Sequence, residues 1–395
     1  MKRGESYMPY TKMQDAIRGS LLGGAIGDAL GYAVEFRQES EIFHRFGAGG
    51  IRSYEIGPDG MAQISDDTQM TLFTANGILY ALTRAAVHKD ARRPEFYVAK
   101  AYQDWLRTQM QRFSEDRLRE TDGKRVSWLM HVPQLYSRRA PGTTCMSALQ
   151  ATCGDGSAAT NHSKGCGGVM RVAPMGLVHT DTDIEQVDRN AAAFAAITHG
   201  HSLGYMPAAV LVHIVRRIVY APDGQTLRQI VQDARDTAAH IFAGDENLGA
   251  LTAIMDRAIE LSENNDSDLD NIHRLGEGWV GEETLAIAIY CALRYENDFS
   301  AGIIAAVNHR GDSDSTGAVT GNILGALIGF DTIDTKWKTD LELRDVLLEM
   351  ADDLYYADRI GADTCAHDTA WAHKYIDCDY RPGGTVYTTD VFQEN

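Results

Sequence analysis

The stretch "RGSLLGGAIGDALGYAVEF", residues 18–36, sets Gly19, Gly23, Gly27 and Gly31 four positions apart inside a helical apolar pattern. A glycine in a helix interior costs about 1 kcal/mol relative to alanine. Four of them on one face therefore need a compensating gain. Residues spaced by four stack on one side of a helix, so these form a bare stripe that another backbone or a ligand can approach. The device recurs in "STGAVTGNILGALIGF", residues 315–330, with Gly317, Gly321, Gly325 and Gly329. Two bare stripes predict two helices packed against each other at the centre of the fold.

Outward from this pair, helical periodicity dominates. It predicts helices over 13–34, 69–88, 95–109, 184–199, 204–220, 225–242, 246–262, 281–294, 300–308, 315–329 and 340–357. Strand-like alternation is scarce; "GTVYTTDVF", residues 384–392, reads either as a strand or as an extended tail. The expected fold is all-α, a compact multi-helix bundle in one domain over residues 1–395, with a core at about 13–358 and a looser appendage over 359–395. The polar segments 111–125 and 263–278 read as surface insertions.

Composition narrows the function. The chain has 395 residues, 44% of them hydrophobic, and a formal net charge of −18. Such a surface repels phosphate backbones, which argues against general nucleic-acid binding. A small anionic ligand would need local help from a metal, a basic side chain or backbone N–H groups. No apolar run follows the basic residues of "MKRGESYMPYTKMQDAIRGS", so no secretory signal is read there. The most apolar stretch, "AAVLVHIVRRIVY", is broken by His213, Arg216 and Arg217, and it reads as too short and too charged to span a bilayer. Cys145, Cys153, Cys166, Cys291, Cys365 and Cys378 form no CxxC pair, which argues against a zinc site. A reducing, cytoplasmic setting, a monomer and no membrane partner are the resulting expectations.

Two acidic stretches each precede an apolar helical pattern. "QISDDTQMTLF", residues 63–73, places Asp66 and Asp67 between Ser65 and Thr68. "NHRGDSDSTG", residues 308–317, places Asp312 and Asp314 around Ser313, followed by Ser315 and Thr316. Either alone is explained by helix capping and by the positive end of the helix dipole. Capping uses one or two side chains, however, and here four carboxylates stand at two helix starts. If those starts converge, each close like-charge pair costs about 4 kcal/mol at an effective dielectric of 20. A divalent cation reverses that sign, and an all-oxygen donor set selects Mg²⁺, Mn²⁺ or Ca²⁺. No glutamate completes a twelve-residue calcium loop. Glu35, at the end of the first glycine-striped helix, is a further carboxylate free to swing toward a metal. Asp28, seven residues earlier, reads equally as a buried partner or a surface acid.

"SKGCGGVMRVAPMGL", residues 163–177, brings Gly165, Gly167 and Gly168 together before an apolar segment. Such a loop is a tight turn or a place where backbone N–H groups meet a phosphate or ribose. It is no Walker loop, and no strand precedes it. His199, in "AAITHGHSLGY", closes a helix rich in small residues as a cap, a core hydrogen bonder or a ligand contact.

These pieces, in this order, resemble the ADP-ribosylglycohydrolase family. The matching stretches are "GSLLGGAIGDALGYAVEF", "SDDTQM", "GCGGVMRVAP", "ITHGHSLGYMPAA", "GWVGEETLAIAIYCAL" and "GDSDSTGAVTGNILGALIG", spanning roughly residues 15–330. The resemblance implies a central cleft holding two Mg²⁺ or Mn²⁺ ions and hydrolysis of the bond joining ADP-ribose to an acceptor, often a protein arginine. By position, Ser65, Asp66, Asp67, Asp312, Asp314 and Ser315 would be metal ligands. Glu35 or Asp67 would orient or deprotonate the attacking water. Gly165, Cys166, Gly167, Gly168 and His199 would line the ADP-ribose site. Cys166 stands where the family often has asparagine, and Ser163 where some relatives carry aspartate. A non-catalytic, crystallin-like binder of ADP-ribose or metal and a hydrolase of another ADP-ribose linkage are the alternative readings.

Overall fold

The structure, a computed structural model, describes residues 11–382 except 91, 121–122, 181, 221–223 and 362–367. The helices that build and brace the site are α1 (Lys12–Tyr32), α2 (Asp66–His88), α3 (Pro94–Met110), α4 (Thr143–Ala151), α5 (Ser202–Tyr220), α6 (Asp268–Leu275), α7 (Gly281–Arg294), α8 (Ser313–Ile328), α9 (Arg344–Tyr356) and α10 (Thr369–Tyr375). Among the described residues β-pairing is limited to isolated bridges, such as Gly165 with Val280. The all-α expectation holds.

The two glycine stripes face each other. A Cβ on Gly19 would stand 2.1 Å from the Gly325 carbonyl oxygen, one on Gly23 2.3 Å from that of Gly321, and one on Gly27 2.0 Å from that of Gly317. No side chain fits at those separations, so the helix-propensity cost of the stripe is offset by backbone contact that only glycine permits. Ser20 Oγ donates to the Asn322 carbonyl and Asn322 Nδ2 donates to the Ser20 carbonyl, each at 2.9 Å, pinning the register. The residue pairs run in opposite directions along the chain. The helices are therefore antiparallel, and the end of α1 lies beside the start of α8, where a Cβ on Gly31 would meet the Ser313 carbonyl at 2.2 Å. α1 is buried on nearly every face, as a central helix must be.

α2 is tied to the same place by Asp28. Its carboxylate, fully buried, accepts from the Ser65 N–H at 3.0 Å, from the Thr68 N–H at 3.1 Å and from the Thr68 hydroxyl. This settles Asp28 as a buried clamp between the first glycine helix and the start of α2. Three helix ends thus meet: the end of α1 and the starts of α2 and α8.

Several peripheral expectations are corrected. Segment 111–125 is not simply a surface insertion. Leu118 and Arg125 are buried, and Arg125 donates to the Cys378 carbonyl at 2.9 Å and the Leu118 carbonyl at 2.8 Å. Segment 263–278 forms α6, which buries Asn271, Ile272 and Leu275. In the tail, α10 is packed: Trp371 and Tyr375 are buried, Trp371 Nε1 donates to Thr83 Oγ1 at 2.9 Å, and Lys374 Nζ reaches Asp353 at 2.8 Å. For Arg125 and α10, polar side chains that read as solvated find buried partners far along the chain. The strand-like stretch 384–392 lies outside the described residues. One helix among the described residues, α5, is long and apolar enough to cross a membrane, but 83% of its apolar window is buried inside the fold.

Candidate metal centre and substrate cleft

Ser65 caps α2, its Oγ accepting from the Asp67 N–H at 3.2 Å. The cap starts the helix at Asp66, three residues earlier than its apolar periodicity, and so sets Asp66 and Asp67 in the first turn. Asp66 Oδ2 accepts from the Gly142 N–H at 3.0 Å. Asp67 Oδ2 is buried with no hydrogen-bond partner. At α8 the cap is Asp312, which accepts from the Ser315 N–H at 3.3 Å and from the Cys166 thiol at 2.7 Å. Asp314 accepts from the Ser315 N–H at 3.0 Å. Glu35, in the turn that ends α1, leaves Oε2 buried and without a partner. One carboxylate oxygen each from Glu35, Asp312 and Asp314 lie within 4.8 Å of one another.

Burial, followed by mutual repulsion, drives these acids far from their ordinary behaviour. Glu35 is pushed up to about 11, first by desolvation and then by the charges of Asp314 and Asp312. Asp28 rises to about 7 for the same two reasons, Asp314 being the facing charge. Asp66, Asp67 and Asp314 are held well above the usual carboxylate range, with burial first in each case, and Asp312 is raised. Orphaned buried oxygens on Glu35 and Asp67, oxygen-only donors and unrelieved repulsion fit hard divalent cations. Ser315 lines the cleft with the acids, whereas Ser65 is not among its lining residues.

The cleft over this centre holds about 520 Å³. Its lining is acidic at Glu35, Asp66, Asp67, Asp312 and Asp314 and continues through residues 142–145 and 165–167 to His199. Phe36 and Trp279 stack at its mouth, ring centroids 5.4 Å apart and 24° from parallel. Both are exposed, and Phe36 holds a left-handed φ of 62°, strained backbone for an aromatic residue.

The glycine loop differs in detail from its expected role. Gly165 and Cys166 line the cleft, but their N–H groups already donate to Ser163 Oγ (3.3 Å) and to the Trp279 carbonyl (3.2 Å). They are not waiting for a phosphate. Gly167 lines the cleft and has no room for a side chain, since a Cβ there would meet Cys145 Sγ and His199 Cε1, each at 2.9 Å. Gly168 is not a lining residue; it packs on the Gly204 carbonyl, 2.3 Å from where a Cβ would stand. His199 does line the cleft and is 1% exposed. Burial first, then the Arg171 charge, lowers it to about 3, so its ring is neutral.

Sequence reasoning passed over the stretch from Gly142 to Cys145, and Phe36, Met170 and Trp279. Pro141, Gly142 and two threonines in a row are a turn and helix-start signal that marks the first of these. Isolated aromatic residues carry no comparable signal.

The fold and cleft define a class, an all-α protein with buried acids gathered beneath one cleft. The sequence profile of the ADP-ribosylglycohydrolase family matches residues 9–362, and the chain belongs to that family. It is 28% identical over 347 residues to an uncharacterized protein of Archaeoglobus fulgidus, covering 87% of this chain and 97% of that one. It is 23% identical over 345 residues to the ADP-ribosyl-[dinitrogen reductase] glycohydrolase of Rhodospirillum rubrum, covering 84% and 92%. It is 27% identical over 205 residues to the human ADP-ribosylhydrolase ARH3, covering 46% and 54%. A solved structure described as an ADP-ribosylglycohydrolase-related protein complex shares the fold, with a TM-score of 0.58 and 24% identity over 88% of this chain and 99% of that one.

Proposed function

We propose that this chain releases ADP-ribose from ADP-ribosylated protein arginine, or from a small ADP-ribose conjugate, using two Mg²⁺ or Mn²⁺ ions. The observation that carries the reading is the meeting of buried acids from three helix ends, with Glu35 Oε2 and Asp67 Oδ2 left without partners. Asp66, Asp67, Asp312, Asp314 and Ser315 are the residues to hold the ions. Ser65 joins them through the lone pair its cap leaves free. Bound divalent ions supply Lewis-acid charge and lower the pKa of water.

The chain's own groups divide the remaining work. Glu35, or the free oxygen of Asp67, would be returned to its ionised form by the charge of bound cations, and then orients the attacking water and takes its proton as oxocarbenium character develops at the anomeric carbon. His199 and the wall at Gly165 and Gly167 receive ADP-ribose. Phe36 and Trp279 lie where the acceptor leaves. The similarity to the Rhodospirillum rubrum enzyme supports a protein acceptor. The shorter match to the ADP-ribosylhydrolase ARH3 supports ADP-ribose release without naming a linkage, and hydrolysis of another ADP-ribose linkage is the second reading. A monomer working in the cytoplasm completes the proposal.

The test is incubation with arginine-, serine- and DNA-linked ADP-ribose plus Mg²⁺ or Mn²⁺, measuring free ADP-ribose. Release from the arginine conjugate is expected, with loss of release in a folded Asp314→Ala variant. Full activity of metal-stripped protein would sink the proposal.

A further inference from the structure

Arg171 is fully buried, lies outside the cleft lining and has no part in the chemistry above. Its guanidinium carries only donors. Nη2 donates to Thr198 Oγ1 at 2.7 Å and to the Phe194 carbonyl at 3.3 Å, Nε to the Tyr102 hydroxyl at 3.0 Å and Nη1 to Cys145 Sγ at 3.2 Å. Thr198, having accepted from Arg171, has one hydroxyl proton to place. The Ala195 carbonyl is 3.5 Å away and already accepts the Thr198 and His199 N–H groups at 3.2 and 3.1 Å. His199 Nδ1 is 2.8 Å away. Cys145 Sγ, the other group within reach of the hydroxyl, is a weak acceptor already taken by Arg171 Nη1. The short contact to the ring nitrogen is therefore the best place for the proton, with the hydroxyl donating to Nδ1. A neutral imidazole whose Nδ1 accepts carries its proton on Nε2. That nitrogen faces the glycine loop: a Cβ on Gly165 or on Gly167 would lie 3.3 Å from it. Among the described residues no protein acceptor is paired with Nε2.

We propose that Arg171 and Thr198 are positioning residues that lock His199 as a neutral Nε2–H donor aimed into the cleft, at an oxygen of the ADP-ribose diphosphate or ribose. This rests on the reading that the cleft takes ADP-ribose. It makes His199 a fixed hydrogen-bond donor and leaves proton abstraction to Glu35 or Asp67. It also supplies the donor that the engaged N–H groups of Gly165 and Cys166 do not.

Two measurements separate the lock from the ligand. Ring-nitrogen NMR of ¹⁵N-histidine-labelled protein, with His199→Gln assigning the signal, should show the Nε2-protonated tautomer without any ligand from pH 5 to 8. In Thr198→Val, nearly isosteric and spared the risk of misfolding that Arg171 variants carry, that tautomer should no longer dominate. Thr198→Ser should restore it. An Nδ1-protonated ring in the wild type, or an unchanged tautomer in Thr198→Val, overturns the lock. Calorimetric titration with ADP-ribose should show about tenfold weaker binding in Thr198→Val and His199→Gln, the loss of one hydrogen bond to a charged or polar oxygen, with recovery in Thr198→Ser. Equal affinity in all four proteins overturns the role in binding. A wild type that keeps the tautomer but binds no ADP-ribose refutes the ligand reading alone.

Discussion

The middle and the end of the α1–α8 pair are built on opposite principles. Along the middle, glycine meets backbone at separations that leave no room for a methyl group, and the side chains of Ser20 and Asn322 each donate to the other's backbone carbonyl. At the end, the same two helices, joined by α2, deliver acids that repel one another and leave oxygens unpartnered. The middle is optimised for stability. The end is kept out of electrostatic balance by the fold, and an added cation restores it. That division makes each half separately breakable.

The largest effect is expected at the acidic end. Asp314→Asn should lower ADP-ribose release by on the order of 10³-fold, since several kcal/mol of charge stabilisation leave with the ion. The metal-free variant should melt no lower than metal-free wild type, because one repelling charge is gone. In the middle, Gly23→Ala should destabilise the fold by about 3 kcal/mol through overpacking against the Gly321 carbonyl, read by chemical denaturation. Gly249→Ala, in the first turn of the helix Leu248–Leu261 and with nothing within 4 Å of the new Cβ, should instead stabilise by up to about 1 kcal/mol. Equal behaviour at these two glycines would erase the claim that the stripe exists for contact.

Saturation with Mn²⁺ at 100 times its Kd should stabilise the wild type by about 2.7 kcal/mol for each bound ion and leave Asp67→Asn nearly unchanged. His199 supplies a pH test away from the acids, with Arg171 the charge that faces it. Its value is lowered to about 3, so its contribution is complete above the ordinary 6.5 and is lost as pH falls toward 3. At pH 5 the deficit relative to neutral pH is about 2 kcal/mol, and His199→Gln should flatten that limb of the stability curve. The smallest effect is at Ser65, where Ser65→Ala should cost about 1 kcal/mol for the lost cap. A weaker Mn²⁺ affinity in the same variant would mark the second role of its oxygen.

What the sequence revealed follows the same division. The glycine stripes are periodic and costly, so their purpose could be read locally, and paired aspartates at two helix starts exceeded what capping explains. Asp28 could not be placed, because a single acid in a helix looks alike whether it faces water or three donors of α2. Arg125 and α10 read as solvated for the same reason: their partners, the Cys378 carbonyl and Thr83, are distant in the chain. Which loop amides remain free depends on where the Trp279 carbonyl and Ser163 fall, and no local pattern encodes that. The Arg171–Thr198–His199 chain was equally hidden, since a buried arginine is recognised only when its acceptors are known.

The most direct test is a Mn²⁺ titration followed by electron paramagnetic resonance, counting bound ions in wild type, Asp67→Asn and Asp314→Asn. Two ions per chain close enough to couple are expected in the wild type, with fewer in either variant although the altered residues belong to different helices. Unchanged stoichiometry in both variants, or ions that bind independently, would contradict a shared centre.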